Sequence, residues 1–188
     1  MDIHYLPKTI KIGDIDCPIK TDYRDILYIF QIFNDKDLLN GEKVLLALEN
    51  FYETEDYKNF DLEIATQAMM DFLAGGKQED GNGNENQKPL YDWEQDFSLI
   101  VAPINRVLTF DVRDTQYLHW WTFLSAFMEI GECTFNTFVG IRNKLNKGIK
   151  LDKTEEKIYK ENKNKIILKK KYDSTTQSIM DEIMGKGV

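Results

Sequence analysis

The chain has 188 residues, 42% hydrophobic and 12% aromatic. That length and composition suit one domain, or one domain with an appendage, and exclude wholesale disorder; no apolar run is long enough for a transmembrane helix. Net charge is −8 but uneven: residues 1–140 carry 11 Lys and Arg against 25 Asp and Glu, residues 141–188 carry 13 against 7. An acidic body followed by a basic tail argues against bulk nucleic-acid binding and suggests a tail that seeks an acidic partner, or the acidic face of its own body.

Cys17 and Cys133 are far apart and too few for a secreted disulfide framework, so reduced thiols are expected. The N-terminus has neither a basic stretch nor an apolar one after it, and no secretory leader is expected there.

Thr9–Ile12, the turn Gly13-Asp14 and Ile15–Ile19 predict a β-hairpin, with Pro18 at the end of the second strand or at an edge because it lacks an amide hydrogen. Thr21 or Asp22 caps a first helix carrying Tyr23, Ile26, Leu27, Phe30 and Phe33. A second helix starts at Asn40 or Gly41, with Val44, Leu45, Leu48, Phe51 and Tyr52 on one face. A third runs from about Leu62 to Leu73, with Ala65, Ala68, Met69 and Phe72 inward. The three form an antiparallel set.

Residues 75–88 hold four glycines and three asparagines with no apolar side chain. Such a stretch cannot bury enough surface to offset its ordering entropy, and residues 75–89 are read as a linker. It lacks the Gly-Lys-Ser/Thr ending and the preceding strand of a phosphate-binding loop.

A central helix follows, with Asp92 and Gln95 at capping-box spacing and Trp93, Phe97, Ile100, Val101, Ile104 and Leu108 as an apolar stripe. Pro103 should kink or split it near Leu99 and Ile100. Asp114 or Thr115 should cap the next helix. There Tyr117, Leu118, Trp120, Trp121, Phe123, Leu124, Phe127 and Met128 leave almost no polar face, the mark of a helix buried on several sides. A sixth helix carries Phe135, Phe138, Val139, Ile141 and Leu145. Residues 150–171 read as a solvated helix with Glu156 and Lys160 spaced for an ion pair, and residues 175–184 as a short docking helix with Ile179, Met180, Ile183 and Met184 on one face.

The fold class is therefore mainly α: a helical bundle with a small N-terminal hairpin (residues 1–148) and a basic C-terminal helical extension (residues 149–188). Little in it points to catalysis. Asp92, Glu94 and Asp96 read as acid at a helix N-terminus, where the macrodipole favours it. His119, with only His4 as another histidine, reads as a buried side chain with a satisfied hydrogen bond. Trp120 and Trp121 read as core rather than a ligand cage. Lys169, Lys170 and Lys171 read as solvated, without the aromatic interleaving of a nucleic-acid surface. No catalytic, metal or cofactor site is expected, and the chain is not expected to be an enzyme.

Taken together, Tyr91-Asp-Trp-Glu-Gln-Asp96, Leu118-His-Trp-Trp-Thr-Phe123 and Gly140-Ile-Arg-Asn143 resemble the bacteriophage family known as gene product fifteen. Ile19-Lys-Thr-Asp-Tyr-Arg24 and the spaced set Glu42-Lys-Val44, Ala47-Leu48, Phe51-Tyr52 resemble its N-terminal part, and the order of the blocks agrees over roughly residues 6–168. Tyr91, Trp93, Asp96, Leu118, His119, Trp120, Trp121, Phe123 and Arg142 carry the resemblance. It departs at Ala102-Pro103-Ile104, in the linker and in the final twenty residues.

The resemblance implies a non-enzymatic tail assembly chaperone of phages and prophages of Gram-positive bacteria. Such a protein binds the tape-measure protein, with the tail tube protein as a second partner and with self-association, in the host cytoplasm and outside the finished virion. A structural tail or connector subunit and a nucleic-acid-binding regulator acting through the Lys-rich tail are the alternatives. Phe30, Phe33, Phe51 and Tyr52 on the first helices, and Lys169, Lys170, Lys171, Ile179 and Ile183 in the tail, are the candidate partner contacts.

Overall fold

The computed structural model describes residues 5–76 and 88–169. Seven α-helices and one two-stranded antiparallel sheet make up the described residues, so the chain is mainly helical as its periodicity requires. Strands β1 (Thr9–Ile12) and β2 (Ile15–Pro18) pair with Thr9 opposite Pro18 and Ile12 opposite Ile15. Gly13 supplies the positive φ (60°) of the turn, a conformation that costs glycine nothing. Pro18 sits at the open end of the pair, where its missing N–H breaks no inner bond.

Helix α1 (Tyr23–Asn34) is capped by Asp22, whose carboxylate accepts from the Arg24 amide at 2.9 Å. It buries Ile26, Ile29, Phe30 and Phe33. Helix α2 (Asn40–Phe51) packs antiparallel to it and buries Ala47, Leu48 and Phe51. Leu45, expected on that inner face, is instead exposed: residues 44, 48 and 51 keep helical spacing, and Leu45 lies about 100° round from Val44. A 3-10 turn (Glu55–Asn59) leads to α3 (Leu62–Leu73), capped by Asp61 through the Glu63 amide. Gly75 and Gly76 end α3 at positive φ.

Beyond the glycine-rich stretch, α4 (Phe97–Leu108) begins later than the sequence suggests. Asp92 accepts from the Gln95 amide at 2.6 Å, so the predicted cap contact exists, but it closes a separate turn over residues 92–96. Trp93 therefore stands before the helix rather than on its stripe. Pro103 lies inside α4 without splitting it. The next helix also starts late: α5 (Trp120–Met128) is capped by His119 and not by Asp114 or Thr115, leaving Tyr117 and Leu118 outside it. Helices α6 (Thr134–Asn146) and α7 (Lys153–Ile166) follow.

One continuous core joins the hairpin and α1 to α6. A smaller cluster of Phe138, Ile141, Leu151 and Ile166 seats α7 on α6, so the C-terminal extension begins as part of the packed molecule. Asp152 and Glu155 form a reciprocal capping box on α7, and Glu155 pairs with Lys144 of α6 at 2.5 Å. Glu155 thus ties α7 to the body instead of serving only its own helix. Both cysteines are free, Cys17 buried and Cys133 half-buried. No described helix is long and apolar enough to cross a membrane.

Candidate functional site

Two polar junctions organise the molecule, and a groove lies beside them. The first junction joins the starts of α1 and α5. The Tyr23 amide donates to the Leu118 carbonyl at 2.9 Å and the Trp120 amide to the Thr21 carbonyl at 2.7 Å. Asp22 uses its second carboxylate oxygen to accept from the Leu118 amide. His119 answers from the other side: Nδ1 accepts from the Trp121 amide at 3.1 Å, and Nε2 donates to the Pro7 carbonyl at 2.9 Å. Both ring nitrogens are thus used by one neutral tautomer. His119 is buried, and burial lowers its pKa below the usual imidazole value.

Directly behind this junction stands an aromatic stack. Tyr23 lies parallel to Phe123 with centroids 4.7 Å apart, and Trp120 meets Trp93 edge-on at 5.7 Å. The indole N–H groups of Trp120 and Trp121 donate to the carbonyls of Leu73 and Phe72. Those carbonyls belong to the last turn of α3, where intrahelical donors run out; the Phe72 carbonyl also accepts from the Gly75 amide. The tryptophan pair closes the end of a helix and packs the core. It is not arranged as a ligand cage.

Asp96 and Arg142 form the second junction. The guanidinium grips the carboxylate through two bonds of 2.7 and 2.9 Å, and both side chains are almost wholly buried. Arg142 also donates to the carbonyls of Leu90, Lys165 and Ile166. One planar, five-donor fork therefore joins the turn before α4, helix α6 and the end of α7. Gln95 adds to the same link: its side-chain amide donates to Lys165 and Ile167 carbonyls and accepts from the Lys169 amide at 3.1 Å.

Along the outer edge of α1 runs a groove of about 500 Å³. Tyr23, Leu27, Tyr28, Phe30, Trp93 and Phe97 give it an apolar, aromatic lining, and Arg24, Gln31, Asn34, Glu94 and Arg113 supply the polar part. Trp93 Nε1 and Asn34 Oδ1 are shut off from solvent with no hydrogen-bond partner, a cost that burial leaves uncompensated. Arg24 is held against the 111–115 loop by donating to the Val112 and Thr115 carbonyls.

The residues singled out from sequence fall into three groups. Asp96, Leu118, His119, Trp120, Trp121, Phe123 and Arg142 assemble the two junctions and the stack, and Tyr91 and Trp93 pack against it. Phe30, Phe33, Phe51 and Tyr52, expected as partner contacts, are buried. The Tyr52 hydroxyl is spent on the Ala65 carbonyl, so none of the four presents a free face; Phe30 reaches only the floor of the groove. The amphipathic spacing that marked them as a surface marked the core face of each helix. Lys169 is exposed, whereas Lys170, Lys171, Ile179 and Ile183 lie outside the described residues.

Sequence reasoning passed over the groove rim. Arg24, Gln31 and Asn34 recur at helical spacing on α1, but polar residues on an outer face carry no signal that a second segment lies opposite. Among the described residues, no group of three or more His, Cys, Asp or Glu is placed to hold a metal ion.

A family model described as Bacteriophage Gp15 protein matches residues 3–173. No curated protein matches the chain. No solved structure matches it either.

Proposed function

Because that match spans most of its length, the chain belongs to the bacteriophage Gp15 protein family, and from this membership we propose that it is a non-enzymatic tail assembly chaperone for the tape-measure protein. Membership is the observation that carries the reading. The motif blocks that carry the resemblance also supply the side chains of the two polar junctions.

The physical chemistry of such a client supports it. A tape-measure chain is long and helical and presents apolar stripes before assembly, and unpaired stripes aggregate. A chaperone offers an apolar groove at a soluble, acidic surface. The groove along α1 supplies the apolar, aromatic lining, under a polar rim that carries Arg24 and Arg113 as well as Glu94. Its lining replaces the buried aromatic residues as the contact surface on the first helices. The proposed setting is the host cytoplasm, with several copies per client and departure before the virion is complete.

Co-expression with the tape-measure protein encoded beside it tests the proposal. The client should become soluble and co-purify with this chain, and Tyr28→Glu in the groove should reduce both. A client that stays equally insoluble overturns the reading. Mass spectrometry of purified particles separates the structural alternative, which requires stoichiometric copies in the virion.

A further inference from the structure

The described chain ends against the turn over residues 92–96, which also supplies Trp93 and Glu94 to one side of the groove. The Lys169 amide is bonded to the Gln95 side chain, and Gln95 sits between two groove-lining residues, Glu94 and, two positions on, Phe97. From the sequence, residues 179, 180, 183 and 184 are Ile, Met, Ile and Met, an apolar stripe one helical face wide. We propose that the groove is a docking site for the chain's own C-terminal segment, residues 175–184, and that this contact is made in the free protein. The inference rests on the groove and the path of the chain, and stands or falls independently of the chaperone reading.

Reach, shape and charge agree with it. Ile179 lies ten positions beyond Lys169, enough to span roughly 33 Å when extended. Helix α1, which forms one wall, is 12 residues long, or about 18 Å. A ten-residue amphipathic segment, about 15 Å as a helix, fits within that length. Lysines 169–171 enter past Glu94. The acidic pair Asp181 and Glu182 then meets a rim that carries Arg24 and Arg113, each also paired with a carboxylate of the body, Asp22 and Asp111. A groove occupied in this way is shielded from other copies of the chain.

The indole N–H resonances of the full-length, isotope-labelled protein report on this directly. The chain has three tryptophans, of which Trp120 and Trp121 are hydrogen-bonded to α3 and serve as internal references. Trp93 is identified by Trp93→Phe. The double change Ile179→Glu, Ile183→Glu in the tail should shift the Trp93 indole and leave the other two in place. Tyr28→Glu, at an exposed groove position, should shift it too and should weaken protection of residues 175–184 from proteolysis. A Trp93 resonance unmoved by the tail variant overturns the proposal. So does a shift that depends on protein concentration and tracks a rise in mass by sedimentation, because the occupant is then a second copy.

Discussion

His119 shows how much one side chain can settle. Its Nδ1 caps α5 and its Nε2 holds Pro7, and burial lowers its pKa from the usual value near 6.5. The unfolded chain takes up the proton as pH falls below about 6.5, while the folded chain resists until lower pH. The stability contribution is therefore complete above about pH 6.5, shrinks as pH falls, and is lost once pH has passed the lowered folded value. His119→Asn keeps a capping acceptor and removes the titration. Urea unfolding should show a wild-type loss between pH 7 and pH 5 that flattens in this variant. His119→Ala should lose about 1 kcal/mol at pH 7 as well, through the missing cap. An unchanged pH slope in His119→Asn would show that another group carries the dependence. The sequence allowed the burial to be read, since two isolated histidines leave little else. It did not allow the capping role to be read, because a histidine cap is recognised by its backbone partner and not by spacing.

At the level of elements, the helices before the glycine-rich stretch were legible and those after it less so. Helices α1 to α3 start at side-chain caps or at short polar turns, and their apolar spacing stops where they stop. Around α4 and α5 the apolar pattern runs on into segments that are buried without being helical. Trp93, Tyr91 and Leu118 are core residues of turns, and periodicity cannot separate those from the first turn of a helix. The end of α4 carries its own test. Thr109 closes it in the left-handed region, with φ of 65°, a conformation that a β-branched residue adopts at a cost. Thr109→Gly should raise stability by roughly 0.5–1 kcal/mol, the relieved strain exceeding the added freedom of glycine in the unfolded chain. A rise in thermal midpoint is expected; a fall would mean that Thr109 makes contacts that outweigh its backbone strain.

Over the whole molecule, the basic extension read from residue 149 onward looked like a separate unit, yet the chain folds back across that boundary. Leu151 and Ile166 bury against α6, and Arg142 reaches three carbonyls as well as Asp96. Sparse apolar residues in residues 150–171 concealed this, because a few well-placed contacts and one buried ion pair do what a continuous stripe does elsewhere. The two halves of that pair are 46 positions apart, in separate motif blocks, and no local pattern announces their meeting. Replacing one member leaves the other charged and enclosed, which costs about 3–5 kcal/mol in such settings. Arg142→Ala should therefore destabilise the protein by that order in denaturant unfolding. Hydrogen exchange should locate the damage: amides of α7 lose protection first, since the carbonyls of Lys165 and Ile166 lose their donor. Arg142→Lys should recover little, because an ammonium group cannot place bonds on the carboxylate and the separate carbonyls at once. If α7 kept its protection while global stability fell, the pair would be a core contact of α4 and α6 alone. The extension would then be positioned by Gln95 and the small apolar cluster.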